Sequence, residues 1–350
     1  MLMIHTADIH LGATPDRGEP WGKFRKEELW ESFEKLIETV EKQRADLLLI
    51  AGDLFHRPPT LRELREVNDL FGTLTKTKVV LIAGNHDYMG QHSFYRGFSW
   101  KENVCFLGSE RIESVKFSDL NVEVYGMSYH KREVQERLYD QMTPADNGYY
   151  HILLAHGGDE KHIPFTKEKI GKSSFDYVAF GHIHKPGMIV PGQAVMAGSL
   201  EPLDHTDQGV HGYVRVEVIE NGNDISLIPF AKREYRSITL NLNEEDTMGS
   251  IYRALKERIY QEGEAHIYEV VLSGVCHSSL EIVEEKLKSA GNIRMILDKT
   301  EKKFDYEWLK VKYEDSLLGR YISSFENCND SIEKEALQLG TAAILEAWQL

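Results

Sequence analysis

The chain has 350 residues, 41% hydrophobic and 28% charged, enough for one large domain and a smaller one and too apolar for a disordered or fibrous protein. Its formal net charge of −15 excludes a protein that coats nucleic acid by bulk electrostatics, so any nucleic-acid contact must use a local patch of Lys and Arg. Cys105, Cys276 and Cys328 show no CxxC spacing, which argues against a disulfide framework or zinc ribbon and fits a reducing, cytoplasmic setting; neither a signal peptide nor a membrane anchor is expected.

From the N-terminus, short apolar runs alternate with amphipathic stretches: LMIHT (2–6), a helical pattern from Phe24 to Gln43, LLLIA (47–51), a second from Leu61 to Lys76, and VVLIA (79–83). In the second helix Leu61, Leu64, Val67, Phe71 and Leu74 form one core-facing stripe. The continuously apolar strands suit a sheet covered on both faces. VEVYGM (122–127), HILLA (151–155), DYVAF (176–180), VMAG (195–198) and YVRVEVI (213–219) read as further strands. The pattern predicts an α/β protein, a layered sandwich with mixed β-sheets over residues 1–231.

From Lys232 the pattern changes. SITLNL, a helix from Glu245 to Ile259, IYEVVLSG, a helix from Ser278 to Ser289 and NIRMILD predict a small α/β capping domain over 232–300. Residues 301–350 carry two amphipathic segments. The second opens at Asp330, an N-cap with Glu333 three residues on, and sets Ile332, Ala336, Leu339, Ala343 and Ala347 on one stripe.

Each apolar run of the first domain ends in polar residues of one kind. Asp8 and His10 follow LMIHT, Asp53 follows LLLIA, Asn85, His86 and Asp87 follow VVLIA, His156 follows HILLA, and His182 and His184 follow DYVAF. Carboxyl ends of strands in open α/β sheets line the crevice where ligands bind. Seven potential ligands, Asp8, His10, Asp53, Asn85, His156, His182 and His184, exceed what one tetrahedral ion needs and suit two divalent ions sharing a carboxylate, with Asp53 the expected bridge. Oxygen and imidazole donors favour manganese, iron or zinc, and the lack of thiolates argues against structural zinc.

The same five blocks, D-x-H, G-D, G-N-H-[DE], H and G-H-x-H, resemble the calcineurin-like metallophosphoesterases, whose pattern runs here in order from Asp8 to His184. The resemblance implies that Asp8, His10, Asp53 and His184 hold one ion and Asp53, Asn85, His156 and His182 the other. It also implies that His86 is not a ligand but stabilises the transition state or protonates the leaving oxygen. Asp87, next in sequence, is expected to orient that imidazole.

HTADIHLG at the start, GDLFHRPP (52–59), GHIHKP (181–186) and GSLEP (198–202) are similar to the SbcD-type DNA repair exonucleases of the double-strand-break-repair branch. This narrower likeness implies a manganese-dependent 3′–5′ exonuclease with endonuclease activity on DNA ends, His56 positioning the end. It further implies a homodimer and an SbcC-like ATPase docked on the C-terminal helices. A phosphatase or a cyclic-nucleotide phosphodiesterase on the same metal centre is the alternative, and a non-catalytic scaffold would require broken ligands, of which there are none. Arg17, Lys23, Arg25 and Lys26 near the first βα loop, with Arg57, Arg62 and Arg65 beyond the second strand, form the expected DNA-binding patch.

Overall fold

In the run LLLIA at residues 47–51 every side chain is buried, because alternate residues serve two different cores. Leu48 and Ile50 pack against helices, while Leu47, Leu49 and Ala51 pack against a second sheet. The structure is a computed structural model that describes residues 1–325 and 330–348, so Cys328 lies outside the described residues. The chain divides into two units, Met1–Tyr235 and Arg236–Leu350.

The first unit runs β1 (Leu2–Thr6), α1 (Gly22–Gln43), β2 (Leu47–Ala51), α2 (Leu61–Phe71), β3 (Lys78–Ile82), β4 (Val104–Phe106), β5 (Glu113–Phe117), β6 (Val122–Gly126), β7 (Tyr150–His156), α3 (Lys167–Gly171), β8 (Tyr177–Gly181), β9 (Gly187–Val190), β10 (Ala194–Met196), β11 (Gly212–Ile219) and β12 (Gly222–Pro229). Among the described residues these strands form two six-stranded sheets, ordered β12-β11-β1-β2-β3-β4 and β5-β6-β7-β8-β10-β9. Both are mixed: β1, β2, β3 and β4 are parallel, as are β6, β7 and β8, while β11, β12, β5 and β9 pair antiparallel. Met3, Leu49, Val80 and Ile82 of one sheet meet Val124, Ile152, Leu154 and Ala179 of the other in a shared core, and α1 and α2 cover the far face of the first sheet through Phe33, Leu36, Val67 and Phe71. The expected layered α/β sandwich is therefore observed.

Helix α2 is shorter than its stripe. It stops at Phe71, where Gly72 and the Thr73 hydroxyl, which donates to the Leu70 carbonyl at 2.7 Å, turn the chain, yet Leu74 stays buried.

The second unit carries β13 (Tyr235–Leu242), α4 (Met248–Glu262), β14 (Ile267–His277), α5 (Glu284–Lys288), β15 (Ile293–Asp298), β16 (Glu301–Lys303), α6 (Tyr306–Lys312), α7 (Leu317–Ser323) and α8 (Ser331–Trp348). Strands β13, β14 and β15 pair in that order, with β16 beside β14. The helix expected from Ser278 to Ser289 shrinks to α5, and the residues just after β14 turn instead. There Ser279 caps the imidazole Nδ1 with its hydroxyl (2.7 Å) and its amide (3.2 Å), a local turn that competes with helix. In α8 the buried residues are Leu337 and Thr341, while Ile332 and Leu339 of the apolar stripe face outward, 72% and 63% exposed. No described helix is long and apolar enough to cross a membrane.

Candidate metal centre

The parallel strands β1, β2 and β3 of one sheet and β7 and β8 of the other bring their carboxyl ends to a common place. His156 Nδ1 donates across to the Ala51 carbonyl at 2.8 Å, and the His182 amide donates to Asp8 Oδ2 at 2.8 Å. Leaving these strands, the chain turns so sharply that Asp8, His10, Asp53 and His182 adopt φ values of 50°, 51°, 51° and 104°. Non-glycine residues rarely occupy this left-handed region, and such strain concentrates at functional sites. Gly84 is needed for the same crowding: a Cβ there would run into the Asp53 carboxylate and amide.

All seven expected ligands converge in two groups. Asp8, His10 and His184 form one, with His10 Nε2 3.2 Å from His184 Nε2 and 4.0 Å from Asp8 Oδ1. Asp53, His156 and His182 form the other, joined by Asn85, whose Oδ1 lies 2.8 Å from His156 Nε2 and 3.0 Å from His182 Nδ1. Asp53 stands between them, its Oδ2 3.4 Å from His156 Nε2 and 3.8 Å from His10 Nε2.

Donor bookkeeping shows that these residues fit cations. His156 spends its Nδ1 proton on Ala51, and His182 spends its Nε2 proton on Asp159 Oδ2 at 2.8 Å. In the neutral rings, His156 Nε2 and His182 Nδ1 then turn lone pairs toward the Asn85 carbonyl oxygen and Asp53, acceptors facing acceptors. Asp8 Oδ1 is buried without a hydrogen-bond partner. Without a cation this field of acceptors draws protons instead: burial pushes His156 and His184 down, but Asp53, Asp8 and the Ala51 carbonyl hold His156 up at about 9, and Asp207, Asp8 and Asp53 hold His184 up at about 9. Bound cations would supply that positive charge in place of the protons. Asp53 itself is held well below the usual carboxylate range, burial opposing and His156 and His10 outweighing it. Divalent cations with oxygen and nitrogen ligands satisfy every one of these groups.

The pattern of the calcineurin-like phosphoesterases matches residues 1–186, more than half of the chain. The chain belongs to this family. It is a metal-dependent phosphoesterase; the family uses a dinuclear metal site, and the paired His/Asp groups described above are able to hold metal ions. Similar proteins include the uncharacterized metallophosphoesterase YhaO of Bacillus subtilis, 27% identical over 305 residues, 78% of this chain and 72% of that one. The DNA double-strand break repair protein Mre11 of Aeropyrum pernix is 26% identical over 336 residues, covering 84% and 79%. The SbcD component of the nuclease SbcCD of Staphylococcus epidermidis is 24% identical over 317 residues, covering 79% and 80%.

Beside the metal centre of this phosphoesterase lies a cavity of about 380 Å³, whose floor carries His10, His56, His86 and His184. Its walls are Ala13, Thr14 and Pro15 on one segment and Leu203 and Asp204 on another. The His86 ring centroid is 4.8 Å from that of His10 and 5.1 Å from that of His56. His86 Nδ1 lies 3.2 Å from the His56 carbonyl, which only an N–H can satisfy, so Nε2 is the nitrogen left for a substrate.

Asp87 does not orient that ring. Its buried carboxylate accepts from the Gly84 amide (2.7 Å), the Phe55 amide (3.3 Å) and the Tyr95 hydroxyl (2.8 Å), tying the loop after β3 to the loop after β2. Asp87→Ala leaves three buried donors without an acceptor and is expected to lower unfolding free energy by about 3 kcal/mol or more, read by urea titration. A role on His86 alone would instead cost turnover at unchanged stability.

Arg25 also departs from its expected role. It is fully buried, its guanidinium held by Asp16, Glu28, Glu201 and the Pro202 carbonyl, and so cannot touch DNA. Arg17, Lys23, Lys26, Arg62 and Arg65 are exposed, and Arg57 makes a double hydrogen bond to Glu63 (2.9 and 3.1 Å) while half its surface faces solvent.

Sequence reasoning missed two carboxylates that steady ligands from outside. Asp159 accepts from His182 Nε2 and Asp207 accepts from His184 Nδ1 at 2.9 Å, each fixing the tautomer that turns the other nitrogen inward. His162 lies beside His182, ring centroids 4.5 Å apart and the rings tilted by 49°, and its Nδ1 is 2.9 Å from Asp159 Oδ1.

Proposed function

We propose that this phosphoesterase is a nuclease of DNA double-strand-break repair that uses two manganese ions, a 3′–5′ exonuclease with endonuclease activity working with an SbcC-like ATPase. The observation that carries it from phosphoesterase to nuclease is the second cleft imidazole, His56, 5.1 Å from His86 and 5.4 Å from His10, where an incoming strand end would meet the reacting phosphate. The relatives named as repair protein and nuclease component, alike over about four-fifths of both chains, support the same reading.

Asp8, His10, Asp53 and His184 would hold one cation and Asp53, Asn85, His156 and His182 the other. When bound, the cations supply Lewis acidity for the phosphoryl oxygens and make a water nucleophilic near neutral pH. His86 carries a proton on Nε2 to the departing oxygen while the His56 carbonyl keeps its Nδ1 proton in place. His56 positions the strand end beside it. Arg17, Lys23, Arg57 and Arg62 draw the phosphate backbone to the cleft. The outward Ile332 and Leu339 of α8, with the exposed Trp308, Val311 and Leu317 on α6 and α7, supply the surface for the ATPase.

The deciding experiment compares manganese-dependent cleavage of end-labelled duplex DNA with that of p-nitrophenyl phosphate and its bis ester. Nucleotides released from DNA ends are expected, and cleavage of the monoester alone overturns the nuclease reading in favour of a phosphatase. Charge reversal at Arg57 and Arg62 is expected to flatten the dependence of log Kd on log[salt] by about two, measured by fluorescence anisotropy.

A further inference from the structure

The buried guanidinium of Arg25 bridges the two residue stretches that adjoin the walls of the catalytic cleft. On one side its Nε lies 3.3 Å from Asp16 Oδ2, directly after the wall formed by Ala13, Thr14 and Pro15. On the other its Nη2 donates to the Pro202 carbonyl and its Nη1 lies 3.8 Å from Glu201 Oε2, directly before the wall formed by Leu203 and Asp204. Leu203 is in turn fixed to the metal centre, since its amide and His184 Nδ1 share Asp207 Oδ2, each at 2.9 Å.

The network continues into the segment by which the chain leaves the first unit. Arg233 forks onto Glu28 through Nε (2.8 Å) and Nη2 (2.6 Å), and Glu28 also accepts from Arg25 Nη1 at 3.0 Å. The Tyr235 hydroxyl donates to Asp16 Oδ1 at 2.7 Å, and the Lys232 amide donates to Glu201 Oε1 at 2.7 Å. Three carboxylates and two guanidiniums are thus buried or nearly so, at the point where three separate chain segments meet. Ion pairs of this kind are poor sources of net stability, because desolvation cancels most of their attraction, and their best-attested use is to fix one arrangement among several. Arg25 Nε, Asp16 Oδ2 and Glu201 Oε2 lack well-directed hydrogen bonds although ion partners are close. This is slack that a shift of either wall could take up.

We propose that Arg25 is a positioning residue that sets the spacing of the two cleft walls and couples it to the exit segment 232–235, so that displacement of that segment changes how a bulky phosphoester seats over the metal centre. The inference needs a phosphoesterase cleft but not DNA as the substrate. It is therefore read first without substrate, by hydrogen–deuterium exchange of the full chain.

Arg25→Lys keeps the charge and loses the fork. It is expected to speed amide exchange in residues 11–17 and 199–207 together by about tenfold, with residues 150–156 of β7 unchanged. Faster exchange in one wall alone, or in neither, overturns the proposal. Should Arg25→Lys fail to fold, two milder variants carry the test. Asp16→Asn is expected to speed residues 11–17, and Tyr235→Phe, which removes only the exit-segment hydroxyl, to speed the same residues by about threefold. An unmoved 11–17 peptide in Tyr235→Phe overturns the link to the exit segment.

On substrate, Asp16→Asn is expected to raise KM for end-labelled DNA about tenfold at unchanged kcat and unchanged metal content, and to leave the small bis(p-nitrophenyl) phosphate unaffected. Equal loss on both substrates would show a merely structural role. If DNA is not cleaved at all, the nuclease reading falls while the exchange result still decides this one.

Discussion

Replacing His86 by alanine is expected to cut turnover by about three orders of magnitude while both cations remain bound. The imidazole lines the cavity and leans on His10, with which and His56 it forms a further imidazole cluster, but its Nδ1 is committed to the His56 carbonyl and it is in neither of the two groups that carry a carboxylate, Asp8–His10–His184 and Asp53–His156–His182. Its backbone does more for the centre than its ring, since the His86 amide donates to Asp53 Oδ1 at 2.8 Å, and alanine keeps that bond. Metal content by plasma emission spectroscopy should therefore match the parent chain. His86→Gln, which can still hydrogen-bond but cannot carry a proton, should be as slow as alanine if proton transfer is the role. Loss of a cation in either variant would make His86 a ligand and remove the proposed proton donor from the mechanism.

The convergence of the seven candidate ligands was legible because a parallel sheet has one chemical edge: apolar runs that end repeatedly in Asp, Asn or His announce a shared crevice before any geometry is known. The strain at Asp8, His10, Asp53 and His182 was not legible, because a left-handed backbone at a non-glycine residue leaves no mark in the sequence. Asp159 and Asp207 escaped for another reason. Each serves a histidine 23 residues away, so nothing local couples the pair.

The two misjudged residues carried a signal that was available. Arg25 shares the stripe of Leu29, Ser32, Phe33, Leu36, Ile37 and Val40 along α1, so helical periodicity already put it on the inner face; its charge made it look like a surface residue. Asp87 stands three residues after Gly84, a spacing at which a carboxylate caps its own turn. In α8 apolar residues occur on more than one face, and period alone could not decide which of them would be covered.

Asp53→Asn is expected to empty the centre of both cations, whereas Asn85→Ala should empty only half of it. Among the described residues Asp53 is the carboxylate that approaches both His10 (3.8 Å) on one side and His156 (3.4 Å) on the other. The asparagine is nearly the same shape, and its carbonyl can still accept the His86 amide, so the loop after β3 should keep its path and the melting temperature should change little. What disappears is the negative charge, in a buried site where charge counts far more than in water. Affinity for the first cation should fall by more than about a hundredfold, beyond the loss typical of an outer-sphere partner. Asn85, by contrast, touches only His156 and His182 among the ligands, so its truncation should leave the group of Asp8, His10 and His184 able to bind. Titration calorimetry with manganese separates the cases: two sites in the parent chain, one in Asn85→Ala and none of comparable affinity in Asp53→Asn. One site retained at parental affinity in Asp53→Asn would mean that the carboxylate is not shared, and the seven ligands would then have to be divided between the cations in some other way.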